Sequence, residues 1–367
     1  MKRAYYELRR VVFVMGAVIL SPFIYFFISY RKPRASDDKP IRILIIPHLT
    51  RIGDLMCATP VFRAIKEEYP DAQVAVLVAG RLEGLLRNNR SVDEIIIYRH
   101  FDLWGTIKKI RSGNFDWSFS LSGTSISSVI SFLSLIPSRT KITRRPRPFS
   151  EFLTDWTANY HTRYEYHTYL PRRYLDMLKF IGIESPREEK ELGISPEGER
   201  KAKIHSFDVG ISVSAGNKIK EWGDFKFLEL ARKIKEKYSA RVVFIGSKNE
   251  EERLRKLVGG EFAVVCDFNL EEISSMLKRL KLFIAVDTGL IHMAHALKVP
   301  LIDIIGPVDS REQSPSDEYS IRVLPSLGIK PSCFAFEKPG GKAESKKAIE
   351  SIKVEDVERA VDKLLKE

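Results

Sequence analysis

From Ile41 onward, short apolar runs alternate with stretches whose apolar residues recur at helical spacing. Ile41–Ile46 (IRILII), Gln73–Val78 (QVAVLV), Glu94–Tyr98 (EIIIY) and Asp116–Leu121 (DWSFSL) have the length of buried strands. A helix is predicted from about Cys57 to Tyr69, with Ala58, Val61, Phe62 and Ile65 on its apolar face and Pro60 in its first turn. Others are predicted over Leu82–Arg87 and about Leu103–Arg111, and Ser122–Leu135 reads as a Ser-rich helix or loop. The second half repeats the rhythm without repeating the sequence. Strands are expected at Val209–Val213, Arg241–Ile245, Ala263–Cys266, Leu282–Val286 and Val299–Ile305. Helices are expected over Phe225–Tyr238, up to about Leu257, over Leu270–Leu280 and over Leu290–Leu297. Such alternation predicts an α/β protein of two doubly wound, Rossmann-like domains facing a cleft. Their expected bounds are 41–185, ending in a basic crossover, and 186–345. A helix within 346–367, about Val354–Lys366, either crosses back to the first domain or lies on the surface.

The N-terminus follows a different pattern. Val11–Tyr30 has no charged residue, the length of a hydrocarbon-spanning helix. Lys2, Arg3, Arg9 and Arg10 precede it, and Arg31, Lys32 and Arg34 follow. No small-x-small cleavage site follows, so it does not read as a removable signal. Basic flanks prefer the cytoplasm, and one span cannot place both there. Ser21-Pro22 interrupts the middle of the segment. Residues 1–34 therefore read as a membrane anchor, either a re-entrant bent helix or a plain single span, joined by a polar linker at 35–40. The Ser-Pro break resembles the membrane element of monotopic phosphoglycosyl transferases in that short feature alone.

Composition narrows the partners. The 367 residues suffice for two domains, and Lys+Arg at 60 against Asp+Glu at 48 leaves a formal charge of +12. That excess suits nucleic acid, anionic lipid or a phosphorylated substrate; it also suits a merely solvated Lys/Glu surface. Basic residues concentrate at Arg139–Arg147, including Arg144 and Arg145, and at His161–Arg173, interleaved with tyrosines. This stretch lines a cleft, meets lipid headgroups or is a solvated crossover; no nucleic-acid motif accompanies it. Arg172–Gly182 reads as an amphipathic helix ending at Gly182. Cys57, Cys266 and Cys333 form neither a CxxC pair nor a disulfide framework. There is no GxGxxG, no P-loop and no DxD, and His292 and His295 lack a carboxylate partner in sequence, so no metal site is expected.

Two loops carry candidate chemistry. In open α/β sheets, ligands bind beyond the carboxyl ends of strands. Gly53-Asp54 follows the first strand, where Asp54 serves as a general base or as a helix cap. Asp287-Thr288-Gly289 follows the strand Leu282–Val286 and opens a helix, a place suited to phosphate through free N–H groups and the helix dipole.

Three motifs together resemble those of the family 9 glycosyltransferases, the heptosyltransferases of bacterial lipopolysaccharide synthesis. They are Ile45–Pro60 (IIPHLTRIGDLMCATP), Ser214–Trp222 with its Lys220-x-Trp222, and Asp287–Gly306 with its Asp-Thr-Gly-x-x-His and later Gly-Pro. The resemblance covers about Ile41 to Pro315. It implies a GT-B fold and metal-independent, inverting transfer from a nucleotide-diphosphate sugar, typically ADP-heptose, held mainly by the C-terminal domain. Carried over, Asp54 is the general base and Lys220 neutralises the leaving diphosphate. Thr288 and Gly289 hydrogen-bond phosphate, Asp287 and His292 order the loop or touch the sugar, and Glu250 looks towards the nucleoside. Ser214 stands where the family often has Gly. Arg51 replaces a small residue beside Gly53-Asp54, suiting an anionic acceptor, with Arg144 and Arg145 as further acceptor-side candidates. His295 and Lys298 replace a small Ala and a Gly. The basic, apolar N-terminus lies outside the family's usual pattern. It implies a lipid-linked saccharide acceptor met at the bacterial inner membrane, with the catalytic domains cytoplasmic. A catalytically silent nucleotide-sugar-binding protein is the rival reading.

Overall fold

The computed structural model describes residues 12, 14–17, 19–24, 41–144, 149–184, 186–204, 206–326, 328–335 and 341–365. They form two compact units. The first comprises Met1–Glu165 and Pro171–Glu188, the second Tyr166–Leu170 and Glu189–Glu367.

The first unit is built on a six-stranded, wholly parallel sheet. Its strands are β1 (Arg42–Ile46), β2 (Gln73–Ala79), β3 (Glu94–Tyr98), β4 (Trp117–Ser120), β5 (Ser138–Thr143) and β6 (Tyr160–Arg163), in the order β3-β2-β1-β4-β5-β6. The order reverses between β1 and β4, which opens a crevice at their carboxyl ends. Helices α1 (Ile52–Glu68), α2 (Leu103–Ser112) and α3 (Ser125–Leu133) make the connections. Leu44, Ile46, Ala75 and Leu77 meet Ile110, Phe115 and Ile130 in the core.

Three expectations for this unit need correction. Helix α1 begins at Ile52, so Gly53 and Asp54 sit in its first turn rather than in a preceding loop. Pro60 consequently lies in the helix interior. Pro has no N–H for the carbonyl four residues earlier, and the Thr59 hydroxyl supplies the missing donor, bonding the Met56 carbonyl oxygen at 2.8 Å. The stretch read as a basic crossover contains two strands, and Arg139 and Lys141 of β5 are each only 1% exposed. Their charge is spent inside the protein. Arg139 donates to the carbonyls of Thr157 (2.6 Å) and Pro137 (3.0 Å) and lies over the Phe132 ring. The Lys141 ammonium bonds Thr154 Oγ1 (3.2 Å) and Asp155 Oδ1 (3.1 Å). Such bonds are what permit a cation in a core. The segment from Leu170 is α-helical to Leu175 and 3₁₀ from Asp176 to Ile181, and it ends as expected at Gly182, in the left-handed region with φ of 82°.

The second unit repeats the same plan. Strands β7 (Val209–Ser212), β8 (Val242–Ile245), β9 (Ala263–Val265), β10 (Leu282–Val286), β11 (Leu301–Ile304) and β12 (Ser320–Val323) are all parallel, in the order β12-β11-β10-β7-β8-β9. The reversal now falls between β7 and β10. Strand β12 was not expected from the sequence; it is a four-residue edge strand, half-buried along most of its length. A short helix, Pro196–Lys203, precedes β7, and the later helices are α4 (Asp224–Tyr238), α5 (Glu251–Val258), α6 (Leu270–Leu277), α7 (Gly289–Ala296), α8 (Lys342–Glu350) and α9 (Val354–Leu365). Helix α9 packs into the second unit. Val354, Val357, Ala360 and Val361 enter the core of the second unit beside Leu230, Ala231 and Ile234 of α4. Lys233–Glu358 (2.9 Å) and Lys237–Asp362 (2.7 Å) pair along the rim of that contact.

Within the N-terminal segment, residues 12, 14–17 and 19–24 are helical; Val11, Phe13, Val18 and residues 25–40 lie outside the described residues. No helix among the described residues is long and apolar enough to cross a membrane.

Candidate active site

In the second unit, three neighbouring strands, β10, β7 and β8, deliver candidate residues from their carboxyl ends. Ser214 lies just beyond β7, Glu250 follows β8, and Asp287, Thr288 and Gly289 follow β10. Thr288 is the N-cap of α7, with extended backbone (φ −144°, ψ 166°) and no side-chain capping bond. The first amides of a helix have no acceptor within it, so this end offers N–H donors and the positive end of the dipole.

Lys220 is aimed at this place from the β7 loop. Asn217 accepts from the Ile219 amide (3.2 Å) and caps the 3₁₀ turn Lys218–Lys220, while Ile219 packs against Ile305, Val308 and Cys333. The Lys220 ammonium then meets Asp287 Oδ2 at 2.5 Å. Burial pulls the ammonium's pKa down, but the charge and hydrogen bond of Asp287 outweigh it, and the net shift is upward. Lys220 therefore stays cationic at neutral pH. The next two residues hold the loop from the other side. Arg253 grips Glu221 (2.8 Å) and Asp224 (2.6 Å), and the buried Trp222 indole donates to the Ile352 carbonyl (2.8 Å).

Glu250 is held locally. Its Oε2 accepts from the amide (2.7 Å) and hydroxyl (2.5 Å) of Ser247, closing a capping box. Burial raises its pKa, and the hydrogen bonds of Ser214 and Ser247 overcome this, so the net shift is down. Ser214 and Glu250, placed apart in the sequence, are thus neighbours.

His292 is fully enclosed, and Lys190 Nζ lies 3.1 Å from its Nδ1. An ammonium can only donate, so Nδ1 accepts and Nε2 carries the imidazole hydrogen. Burial, and then the charge of Lys190, hold the His292 pKa well below its usual value. His292 is neutral. Lys190 was missed because it sits in the charged run Arg187–Glu191, which reads as solvated surface; it is 5% exposed and lies over the Tyr169 ring.

Asp303 was missed as well, although a lone acid in LIDII was a visible signal. It occupies β11 in register with Ala285, and neither carboxyl oxygen makes a well-formed hydrogen bond. Burial, then the charge of Asp287, push its pKa up to about 8; Ser314, Lys220 and Lys190 oppose this only in part. The sign follows. The native carboxyl holds a proton that the unfolded chain releases near pH 4, so its contribution to stability is full below that pH and is lost as pH rises towards 8. Removing the titration with Asp303→Asn should give a variant whose melting temperature gains on the parent between pH 4 and 8. The gain corresponds to at most about 1.4 kcal/mol per pH unit. A constant offset across that range would show that the carboxyl does not titrate there.

The departures from the family pattern have physical places. His295 bonds Asp317 (2.6 Å) and stacks on Tyr319. Lys298 has φ of 56°, the left-handed backbone that explains a glycine elsewhere.

In the first unit, Asp54 is 5% exposed, and Arg51, half-exposed, reaches to 4.0 Å from its Oδ2. Gly53 lies between them. The Tyr174 hydroxyl is buried nearby, without a hydrogen-bond partner among the described residues; burial, then Asp54, raise its pKa. His48 is shifted down, by burial first and against the pull of Asp54. Across the reversal, Ser122, Thr124 and Ser127 bond one another at 2.8–3.2 Å before α3. Gly123 between them has φ of 62°, and a Cβ there would stand 2.6 Å from the Ile142 carbonyl oxygen.

Arg144 is paired within the protein, with Glu151 holding it through two 3.1 Å bonds. Arg145 lies outside the described residues. Of the basic residues in this region, His161, Arg163, Arg172 and Arg173 line a cavity of about 730 Å³, but acids share the wall. Arg172 pairs with Glu188 (2.5 Å), and Arg173 with Glu165 (3.2 Å) and Asp176 (3.1 Å). One His/carboxylate group among the described residues has metal-like spacing, His167 with Asp309 and Glu312. Arg311 already occupies it, bonding both Asp309 oxygens (2.9 and 2.7 Å), and Glu312 accepts the His167 and Ala335 amides. Burial works against the Asp309 carboxylate, and Arg311 overrides it, holding the pKa at about 2. The guanidinium supplies the positive charge a metal would bring.

The sequence model of glycosyltransferase family 9 (heptosyltransferase) matches residues 103–333, more than half of the chain. The chain is a family 9 glycosyltransferase. Lipopolysaccharide heptosyltransferase 3 of Escherichia coli (strain K12) is 22% identical to this glycosyltransferase over 343 residues, which covers 86% of this chain and 96% of the relative. The structure of E. coli ADP-heptose LPS heptosyltransferase II superposes with a TM-score of 0.74 at 18% identity, covering 89% of this chain and 98% of that one. E. coli heptosyltransferase WaaC with ADP-2-deoxy-2-fluoro heptose gives 0.67 at 15% identity, covering 88% and 99%. The glycosyltransferase thus has two parallel α/β sheets like those of the GT-B heptosyltransferases.

Proposed function

We propose that this glycosyltransferase moves heptose, or a closely related sugar, from an ADP-linked donor to a lipid-linked anionic saccharide such as lipopolysaccharide core, at the cytoplasmic face of the bacterial inner membrane. The observation that carries the donor half is the buried Lys220–Asp287 pair, 2.5 Å long, at the uncapped N-terminus of α7. A cation and free helix amides together suit the developing charge of a diphosphate leaving group. The ADP portion is supported by the relative whose structure carries an ADP-sugar analogue.

In this reading the reaction is a single displacement at the anomeric carbon. The acceptor oxygen forms the new bond as the carbon–oxygen bond to the diphosphate breaks, so configuration inverts. Asp54 takes the acceptor hydroxyl proton. Lys220 and the Gly289 end of α7 receive the charge that the nucleoside diphosphate carries away, with Thr288 and neutral His292 beside it. Ser214 and Glu250 lie towards the nucleoside. Lysine and helix amides take the part a metal plays elsewhere, so the transfer is proposed to run without one. Arg51 meets negative charge on the acceptor.

Calorimetry of the full chain with ADP, UDP and GDP, each with and without magnesium, tests the donor. Saturable ADP binding that is indifferent to magnesium and at least tenfold tighter than UDP is expected. Preference for UDP or GDP would overturn the ADP assignment, and a requirement for magnesium would overturn the metal-independent mechanism.

A further inference from the structure

The helical residues 12, 14–17 and 19–24 present two unlike faces. Val14 and Ala17, 4% and 2% exposed, pack against Ile107 of α2 and Val129, Phe132 and Leu133 of α3, with Ile24 joining at the edge. Val12, Met15, Ile19 and Phe23 recur at three- and four-residue spacing on the opposite face and are 62%, 46%, 72% and 70% exposed. An ordinary surface helix turns polar residues outward. Among its described residues this one turns large apolar side chains outward, and the stretch Val11–Tyr30 contains no charge to replace them.

The stripe has a neighbour of matching chemistry. Ile107, which touches the N-terminal helix, belongs to α2. One side of α2 next to Ile107 carries Trp104, Lys108 and Arg111 at i, i+4 and i+7, all exposed, and Phe101 lies exposed just before the helix. Aliphatic side chains, a tryptophan and basic residues together are the equipment of a membrane–water interface.

We infer that this composite face, Val12, Met15, Ile19 and Phe23 with Trp104, Lys108 and Arg111, is a docking surface for an anionic lipid bilayer. The helix lies in the interface, with one side held by the first unit and the other among acyl chains. Because Val14 and Ala17 are covered by protein, lipid cannot surround the helix, so it does not cross. The reading deepens the proposal of a lipid-linked acceptor, but it is testable without sugar or nucleotide. Charge selects the occupant. A two-fold contact with a second copy would bring the same patch against itself, placing Lys108 and Arg111 against like charge. Acidic headgroups meet those residues with opposite charge, as they do the basic flanks Lys2, Arg3, Arg9 and Arg10 and Arg31, Lys32 and Arg34.

Cosedimentation of the full chain with phosphatidylcholine vesicles, with and without phosphatidylglycerol, tests the inference. Binding should be at least tenfold stronger to the anionic vesicles and fall at least tenfold in Ile19→Glu/Phe23→Glu and in Trp104→Ala/Lys108→Glu/Arg111→Glu. ADP affinity, as a check on folding, should be unchanged. Undiminished vesicle binding in both variants would overturn the proposal, as would a dimer that the same variants split. The three native cysteines are buried, so a thiol introduced as Lys2→Cys is the one a membrane-impermeant maleimide reaches. It should remain labelled after the protein is added to sealed vesicles; protection would mean that the helix crosses. Loss of sugar transfer with vesicle binding intact would strike the acceptor reading and leave the docking surface standing.

Discussion

Asp54→Asn should lose turnover by about 10²- to 10⁴-fold, the usual contribution of a positioned general base, while donor affinity stays within about twofold. The carboxylate sits in the first turn of α1, 5% exposed, with Arg51 at its rim. Asparagine keeps the shape and the helix start but cannot take a proton. Single-turnover rates with saturating donor, beside calorimetric donor affinity, separate the two effects. Turnover within tenfold of the parent would remove Asp54 from the role of base, and a parallel loss of donor affinity would give it a structural role instead.

The second large effect is expected at Lys220. Lys220→Ala removes the cation at the N-terminus of α7, and on the proposed function turnover should fall by about 10²- to 10³-fold, with donor affinity falling too. It also strands Asp287, which is 5% exposed and has lost its partner. Breaking a buried pair on one side costs about 3–5 kcal/mol, so the variant should melt lower as well. Lys220→Ala/Asp287→Asn separates these consequences. The double variant should recover much of the melting temperature and none of the turnover. If turnover returned with stability, Lys220 would matter for folding and not for the diphosphate.

Both predictions rest on residues just beyond the carboxyl ends of central strands, and most of these positions were legible in the chain. Asp54 and Asp287-Thr288-Gly289 each follow an apolar run and open a helix, a purely local pattern. Lys220 lies in a polar loop that only the family resemblance singled out. Its aim at Asp287 depends on Ile219 packing against Ile305 and Val308, 86 and 89 residues away along the chain.

The misreadings have one physical origin. Arg139 and Lys141 look like solvated charge because the groups that complete their bonding, the Thr157 carbonyl for one and the Glu151 carbonyl for the other, lie 18 and 10 residues onward. Lys190 looks like surface for the same reason, and its partner His292 is 102 residues distant. Pro60 reads as a helix start until the Thr59 hydroxyl is seen bonding the carbonyl that proline leaves unserved.

By itself, the sequence determined the α/β class and most strands, because apolar period and turn chemistry act within a dozen residues, and its motifs carried the resemblance to the family. The tertiary structure decided the strand order with its two reversals, the burial of Lys190, Asp303 and Arg139, and which face of the N-terminal helix is covered. Those outcomes depend on desolvation and pairing between residues far apart in the chain, and such energies exist only once the sheets have brought them together.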